Sequence, residues 1–260
     1  SFYEHSYGSI PGRGSIKAVQ QLQSWQRLVL RKPDKWFIGK MDVAKFFFRV
    51  PVDVQLRELG RPLDDPDMMW YLETVIRADG RPFGLPLDAS SPLDCERVLG
   101  VGMQVGSLIS QMTANIVLTP LDHYIKRTLL APYYIRYMDD MIILAPSKQQ
   151  VWDIIYAADD YLRSNLGLQL NNKTAVIPAG HGVEFVGKIV RPDRIDLRKS
   201  TSLQMKKHLA FVKEAYANGE CDYDYAMSVI RSYLGVLKWT SDIALRDAML
   251  DSYHLIRHSK

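Results

Sequence analysis

Apolar residues recur at helical spacing in several parts of the chain, three or four positions apart along one side of each segment. This period predicts helices that bury one side and leave the other in water. The segments that show it are 16–30, 54–59, 68–76, 107–129, 147–165 and, with breaks near 218–219 and 240–241, 201–259.

Other segments carry the β-branched and aromatic runs that are typical of strands. Residues 35–43 predict a strand that ends at Asp42 and is followed by a short helical turn at 44–48. Residues 167–174 predict a strand with a turn. The alternating segment 183–190 predicts another hairpin, which turns at Arg191-Pro192-Asp193-Arg194.

The segment 133–145 contains two apolar runs, bounded by prolines, on either side of two adjacent carboxylates. It predicts a β-hairpin with Met138, Asp139 and Asp140 at or near its tip. Together with the flanking elements, the order βα–β–β–α–β predicts an α+β fold, in which an antiparallel sheet is backed by two helices.

No Asn-Gly or Asp-Gly pair is present to set the turn of this hairpin, so its acids indicate a role beyond the turn itself. Carboxylate oxygens suit Mg²⁺, which fills its other positions with waters and substrate phosphates. Two such ions roughly 3.5–4 Å apart can activate a 3′-hydroxyl and stabilise a leaving pyrophosphate. The alternative is a solvated turn, in which Asp is common.

Three further features have both a structural and a functional interpretation. Asp42 at its strand end could lean over a metal or cap the next turn. The glycine-punctuated loop 100–111 enters a helix and could bring backbone close to a ligand or simply connect. The loop 7–14 could be a linker or could place Arg13 near a phosphate.

Composition is that of an ordinary globular protein: 260 residues, 47% hydrophobic and 24% charged. The net charge of +4 is compatible with nucleic acid binding but is weak support for it. Two cysteines, Cys95 and Cys221, offer neither a disulfide framework nor zinc spacing. No signal peptide or membrane-spanning apolar run is present, so a cytoplasmic protein is expected.

The tetrapeptide Tyr137-Met138-Asp139-Asp140, with a predicted strand on each side, resembles the active-site hairpin of reverse transcriptases. Asp42 matches the first catalytic Asp of that family, 167–174 looks like its next palm motif, and Phe185-Val186-Gly187 resembles its primer-gripping element. The resemblance covers most of the chain. It implies a right-hand polymerase fold, with partial fingers at 1–34, a palm at 35–190 with an insertion around 79–98, and a helical thumb at 191–260.

The same resemblance implies the roles of individual residues. Asp42, Asp139 and Asp140, with the backbone carbonyl of Val43, would hold two Mg²⁺ ions, for which Mn²⁺ could substitute. Phe47, five positions after the first Asp, would block the ribose 2′-position, and Lys173 would protonate the leaving pyrophosphate. The nucleotide-binding residues are expected to be Phe46, Phe47, Val105, Gly106 and Lys173. The primer and template contacts are expected at Tyr137, Met138, Gln111 and Gly187.

The loop before the second palm helix separates subfamilies. Most reverse transcriptases carry Gln-Gly there, followed by three residues and Ser-Pro, whereas this chain has Val105-Gly106 and then Ser110-Gln111. That variant resembles the bacterial or phage enzymes of diversity-generating retroelements, which copy a template RNA with frequent errors at adenines. An aliphatic Val105 cannot hydrogen-bond as Gln does, which would weaken discrimination.

The resemblance implies an RNA template, a DNA or RNA primer, dNTPs and, for the retroelement type, a small basic accessory protein. Within the family, a group II intron-type or antiphage-defence enzyme is an alternative. The other class is a scaffold that binds RNA without catalysis, against which the three retained acids argue. The chain opens on Ser1 in mid-pattern, which predicts a fragment that lacks most of the fingers.

A basic cluster at the start of the last helical region has two interpretations, a solvated helix side or a contact with a phosphate backbone. Its members are Arg194, Arg198, Lys199, Lys206, Lys207 and Lys213.

Overall fold

Four antiparallel strands form the central sheet. The computed structural model describes residues 1–77, 83–86, 97–104 and 106–257. The strands are β1 (Phe37–Asp42), β2 (Tyr133–Tyr137), β3 (Asp140–Ala145) and β4 (Ala175–Pro178), in the order β2-β3-β1-β4. The predicted α+β class and hairpin are therefore confirmed, and β1 lies in the interior of the sheet.

The helices follow the predicted order, with one short helix directly after β1. In chain order they are α1 (Ser15–Val29), α2 (Phe46–Arg49), α3 (Val52–Gly60), α4 (Pro66–Arg77), α5 (Leu108–His123), α6 (Lys148–Tyr161), α7 (Lys199–Ala217), α8 (Tyr223–Leu237) and α9 (Ile243–Ser252). Helices α5 and α6 each continue into a π-helical turn, at Tyr124–Thr128 and Leu162–Leu166. The hydroxyl of Ser147 caps α6, as predicted, by accepting from the amide of Gln150.

Both sides of the sheet are covered, because alternate residues of a strand point to opposite sides. Met41 and Met141 enter a core that they share with α5 and α6. Ile38 and Ile142 enter a second core, formed with α1 and a smaller sheet. Burial on both sides accounts for the nearly unbroken apolar runs in β2 and β3.

The smaller sheet consists of β5 (Val183–Phe185), β6 (Lys188–Val190) and β7 (Ile195–Leu197). The alternating segment 183–190 is thus two strands rather than one, since Val186 and Gly187 make a turn in which both have positive φ. A β-branched residue such as Val186 rarely adopts a positive φ, so the sequence does not predict a turn at this position.

The predicted strand at 167–174 is also corrected. Only Leu170 forms an isolated bridge there, with Val43, and a turn follows. The paired strand begins later, at Ala175, where the run Ala-Val-Ile-Pro supplies the β-branched residues that a ladder favours.

The C-terminal helices α7, α8 and α9 have a hydrophobic cluster of their own, which includes Leu209, Ile230 and Met249. The helix breaks lie where they were predicted, and Asp222 caps α8 by accepting from the amide of Tyr225. This arrangement confirms a helical C-terminal thumb. Among the helices of the described residues, none has the length and apolar character to cross a membrane.

Candidate active site

The hairpin tip brings two of the predicted acids to the end of the sheet. Tyr137 pairs with Asp140, so Met138 and Asp139 form a two-residue loop. Met138 has a φ of 54°, in the left-handed region that non-glycine residues seldom adopt. On the next strand Asp42 lies directly opposite Asp140 in the antiparallel register. Residues paired in this way project to the same side of a sheet, so these two carboxylates share one surface.

Burial makes the carboxylates difficult to ionise in the metal-free protein. The pKa of Asp140 rises to about 7 because the group is desolvated, with smaller contributions from the charges of Asp42 and Asp139. The pKa of Asp139 rises to about 6, first through desolvation and then through the charge of Asp42. Desolvation also raises the pKa of Asp42. Three mutually repelling acids in one partly buried place favour a compensating positive charge.

Hydrogen bonds from two separate loops orient these acids. Asn171 donates its side-chain amide to Oδ2 of Asp42 at 3.1 Å and its backbone N–H to the carbonyl of Asp42 at 2.6 Å. The backbone N–H of Val186 donates to Oδ2 of Asp140 at 3.4 Å. The carbonyl of Asp139 accepts from the amide of Val43 at 3.3 Å. The segment after α6 thus supplies donors to Asp42 on β1, and the turn after β5 supplies a donor to Asp140 in the hairpin.

Two lysines contribute positive charge nearby. Lys40 lies two positions before Asp42, on the same side of β1, and its charge lowers the pKa values of both Asp42 and Asp140. Lys173 is exposed in the turn after α6, and its charge also lowers the pKa of Asp42. The predicted general acid therefore lies on the side of the site where Asp42 is held.

The acidic residues provide some, but not all, of the ligands that a divalent metal ion needs. Within the described residues, His, Cys, Asp and Glu side chains form no ready-made group of three or more ligands for an ion. Oδ1 of Asp140, however, is buried and has no hydrogen-bond partner there. Because Mg²⁺ needs only one or two carboxylates when substrate phosphates and waters complete its shell, the acids suit ions that arrive with a nucleotide.

Comparison with known proteins decides the family. The model of the reverse transcriptase (RNA-dependent DNA polymerase) family matches residues 1–190. The chain belongs to the reverse transcriptase family. The matched residues include β1 and the β2–β3 hairpin, which together carry all three acids.

Individual relatives of this reverse transcriptase domain are distant. It is 21% identical to the putative COX1/OXI3 intron 2 protein of Saccharomyces cerevisiae, over 83% of this chain and 31% of the yeast protein. The structure of telomerase from Candida albicans in complex with a TWJ fragment of telomeric RNA aligns with a TM-score of 0.54 and 15% identity, over 97% of this chain and 45% of that chain. The structure of apo telomerase from Candida tropicalis aligns with a TM-score of 0.46 and 14% identity, over 71% of this chain and 45% of that chain. The chain thus spans under half of each relative, and the Candida albicans likeness supports the polymerase fold.

The predicted nucleotide-binding residues of the reverse transcriptase differ in accessibility. Phe46 is only 1% exposed and lies in the main core, so its side chain is not free to contact a nucleotide. Phe47 is half-buried and packs edge-to-face on Phe46, with ring centroids 5.5 Å apart. Gly106 has a φ of 95°, which favours glycine at that position. Val105 lies outside the described residues, as does most of the predicted insertion at 79–98.

The predicted primer and template residues lie around the hairpin. Tyr137 and Met138 are half-buried at its tip, and Gly187 is exposed in the turn beside Asp140. Gln111, in α5, accepts a hydrogen bond from the hydroxyl of Ser9 at 2.9 Å, which ties the N-terminal loop to that helix. Arg13 donates to the carbonyls of Tyr3 and Ser6, so it stabilises its own loop and the phosphate interpretation gains no support.

Several site residues were missed from the sequence. Lys40 is one of them, although strand alternation predicts that residues 40 and 42 project to the same side of β1. Asn171 carried no such signal, because its contact with Asp42 joins residues 129 positions apart. The amide of Val186 was equally hidden, since a backbone donor is independent of residue type.

Proposed function

We propose that the chain catalyses RNA-directed DNA synthesis by two-metal nucleotidyl transfer. One observation carries this proposal: Asp42 lies directly opposite Asp140 in the sheet, with Asp139 in the adjoining loop. Burial raises the pKa values of all three acids, and repulsion by neighbouring acids adds to the rise at Asp139 and Asp140. Such a cluster of acids, in a family of RNA-dependent DNA polymerases, favours phosphoryl transfer over a purely structural turn.

Asp42, Asp139 and Asp140, together with the backbone carbonyl of Val43, would hold two Mg²⁺ ions, with Mn²⁺ as a substitute. The ions would activate the primer 3′-hydroxyl and neutralise charge on the leaving pyrophosphate. Asn171 orients the carboxylate of Asp42, and the amide of Val186 restrains that of Asp140. Metal binding favours the ionised carboxylates. A cation would relieve the repulsion between their charges, and this relief would add to the affinity of the site for cations.

The remaining residues have roles on the substrate side. Phe47, half-buried after Asp42, would exclude a ribose 2′-hydroxyl, and Gly106 would allow backbone to approach the nucleotide. Lys173 would donate a proton to pyrophosphate as a general acid. Tyr137, Met138, Gln111 and Gly187 would contact primer and template. The ranges 1–34, 35–190 and 191–260 would act as partial fingers, palm and thumb.

Primer extension on an RNA template, with dNTPs and Mg²⁺, tests the function. Asp139→Asn/Asp140→Asn should abolish extension, while Asp160→Asn, an exposed carboxylate on α6, should not change it. Thermal unfolding of each variant separates catalysis from folding. Extension that survives in the double variant would contradict the proposal. If the wild-type chain and its variants all bind RNA but none extends the primer, the scaffold alternative would be favoured.

Within the family we propose an error-prone enzyme of the diversity-generating retroelement type, cytoplasmic and bacterial or phage-encoded, that works with a small basic accessory protein. The support is the Val105-Gly106 and Ser110-Gln111 pattern. An intron-type enzyme is the second candidate, favoured by similarity to a yeast protein named for an intron. Replacing Val105 with Gln should lower the error frequency opposite template adenine. An unchanged error frequency would favour the intron type.

A further inference from the structure

A fully buried arginine lies beneath the catalytic hairpin. Arg136 has no exposed surface, and its guanidinium binds Asp122 of α5 in a bidentate pair, with Nε–Oδ1 at 2.7 Å and Nη2–Oδ2 at 2.6 Å. The hydroxyl of Tyr134 donates to the same carboxylate at 2.7 Å. Because replacing such a pair by apolar residues is often neutral or stabilising, stability alone does not explain it.

The third nitrogen of this guanidinium reaches the loop that carries the acids. Nη1 of Arg136 donates to the carbonyl of Met138 at 3.0 Å and to Oδ1 of Asn115 at 3.1 Å. Met138 is the loop residue with a φ of 54°, and no glycine is present to adopt that conformation without cost. The hydrogen bond therefore stabilises the strained peptide immediately before Asp139.

The other side of the loop is held by the N-terminal segment. Asn115 donates its side-chain amide to the carbonyl of Gly8 at 2.7 Å, which links this segment to Arg136. A Cβ at Gly8 would lie 2.6 Å from the side chain of Met138 and 2.8 Å from its backbone nitrogen. The backbone of Arg136 also exchanges hydrogen bonds with His5 and Tyr7. Met138 is thus confined from two directions.

We propose that Arg136 is a positioning residue for catalysis. Its guanidinium, anchored by Asp122, holds the left-handed conformation of Met138 and thereby fixes the loop residue Asp139 beside the pair formed by Asp42 and Asp140. The inference rests on the proposed function only for its kinetic consequences. Its structural part, restraint of the hairpin tip, is independent of that function.

Two sets of variants test the proposal in the full chain. Arg136→Lys keeps the charge but cannot make all these bonds, and Arg136→Met/Asp122→Asn removes both charges while leaving Tyr134 an acceptor. Arg127→Lys, at an exposed arginine beyond α5, is the matched control. Thermal unfolding shows which variants fold. If Arg136→Lys does not fold, the double variant Arg136→Met/Asp122→Asn still tests the positioning role.

Hydrogen exchange and kinetics supply the readouts. In the folded variants we expect exchange at least about tenfold faster in the peptide 137–142, with β1 and β4 unchanged. We expect kcat for primer extension to fall about 10- to 100-fold, because a small misplacement of a reacting group costs that much, while KM for dNTP stays nearly constant. The substitution Met138→Asn, which favours the left-handed conformation, should reduce the effect of Arg136→Lys on hydrogen exchange at 137–142, a readout that does not depend on a primer contact by Met138.

The outcomes separate the two proposals. Unchanged exchange at 137–142, equal acceleration throughout the sheet, or no rescue by Met138→Asn would overturn the positioning role. An inactive wild-type chain whose hairpin exchange still responds to Arg136→Lys would contradict the proposed function but support the restraint of the tip.

Discussion

Asp140 is placed where its negative charge is unfavourable unless a cation is present. In the metal-free protein its pKa is raised to about 7, so the folded state binds a proton that the unfolded state releases near pH 4. A carboxyl group whose folded pKa is raised opposes folding increasingly as the pH rises between those two values. Its contribution to stability is therefore least unfavourable in acid and most unfavourable above about pH 7.

Asp140→Asn should stabilise the metal-free protein in a pH-dependent way. The gain should be small at or below about pH 4 and reach on the order of a few kcal/mol at pH 8, because the amide carries no charge to desolvate. Thermal unfolding in EDTA across this pH range measures it. Added Mg²⁺ should then raise the Tm of the wild type more than that of the variant. A gain independent of pH would contradict this account.

Asn171 should affect catalysis through Asp42. Asn171→Ala removes the donor to Oδ2 of Asp42, so we expect kcat to fall about tenfold, as for loss of one positioning contact at a reacting centre. Asn172→Ala, at the exposed neighbouring position, is the control and should have little effect. Equal losses in the two variants would indicate that the loop as a whole, rather than this hydrogen bond, matters.

At the scale of single residues, the sequence predicted the acids but not the groups that orient them. Asp42, Asp139 and Asp140 lie at strand ends that hydrophobic patterning locates, and a short motif marks two of them. Asn171 and Arg136 act through contacts with residues far along the chain or on another element, and no local pattern encodes these. The burial of Phe46 in the core was not predicted, because consecutive phenylalanines do not reveal which one enters the core.

At the scale of elements, helices were easier to predict than turns. The long helices carry an apolar stripe over several turns, whereas the β5–β6 turn depends on the conformation of two residues. Val186 has a φ of 50° there, and its amide donates to Asp140. This turn therefore combines a conformational cost with a contact to the site, a combination often found at functional positions.

Val186→Asn should stabilise the protein, because Asn-Gly is the preferred pair for a two-residue turn with both φ values positive. The left-handed cost that it relieves is roughly 1 kcal/mol, less whatever apolar contact is lost. Denaturant unfolding measures the change. Val186→Ala is the control, since it loses the same contact and keeps the cost, and it should destabilise. A variant with Asn no more stable than that with Ala would show that the turn is not strained.

At the scale of the whole molecule, the basic cluster divides into engaged and exposed members. Arg198 pairs with Glu184, Arg194 pairs with two aspartates, and Lys213 donates to a backbone carbonyl. Lys199, Lys206 and Lys207 are exposed on α7. The positions of the basic residues are evident from the chain itself, but only the fold distinguishes those that are already paired.

Lys206→Gln/Lys207→Gln should weaken binding of a primer–template duplex regardless of its sequence. The slope of log K against log salt should become shallower by about 0.9 for each lysine that contacts a phosphate. Titration at several salt concentrations measures this slope. Lys35→Gln/Lys148→Gln, two exposed lysines outside α7, is the matched control, and an equal change in both double variants would indicate a general charge effect.

The interior position of β1 also bears on synthesis. Both neighbours of this strand, β3 and β4, come later in the chain, the second ending at Pro178. At about 5–20 residues per second, the ribosome needs on the order of 10 s to deliver them after β1. During that time an apolar strand has two open edges, the situation in which edge-to-edge aggregation begins. Lys40 and Asp42 place charges within this strand, and charged side chains in a strand oppose such edge-to-edge pairing.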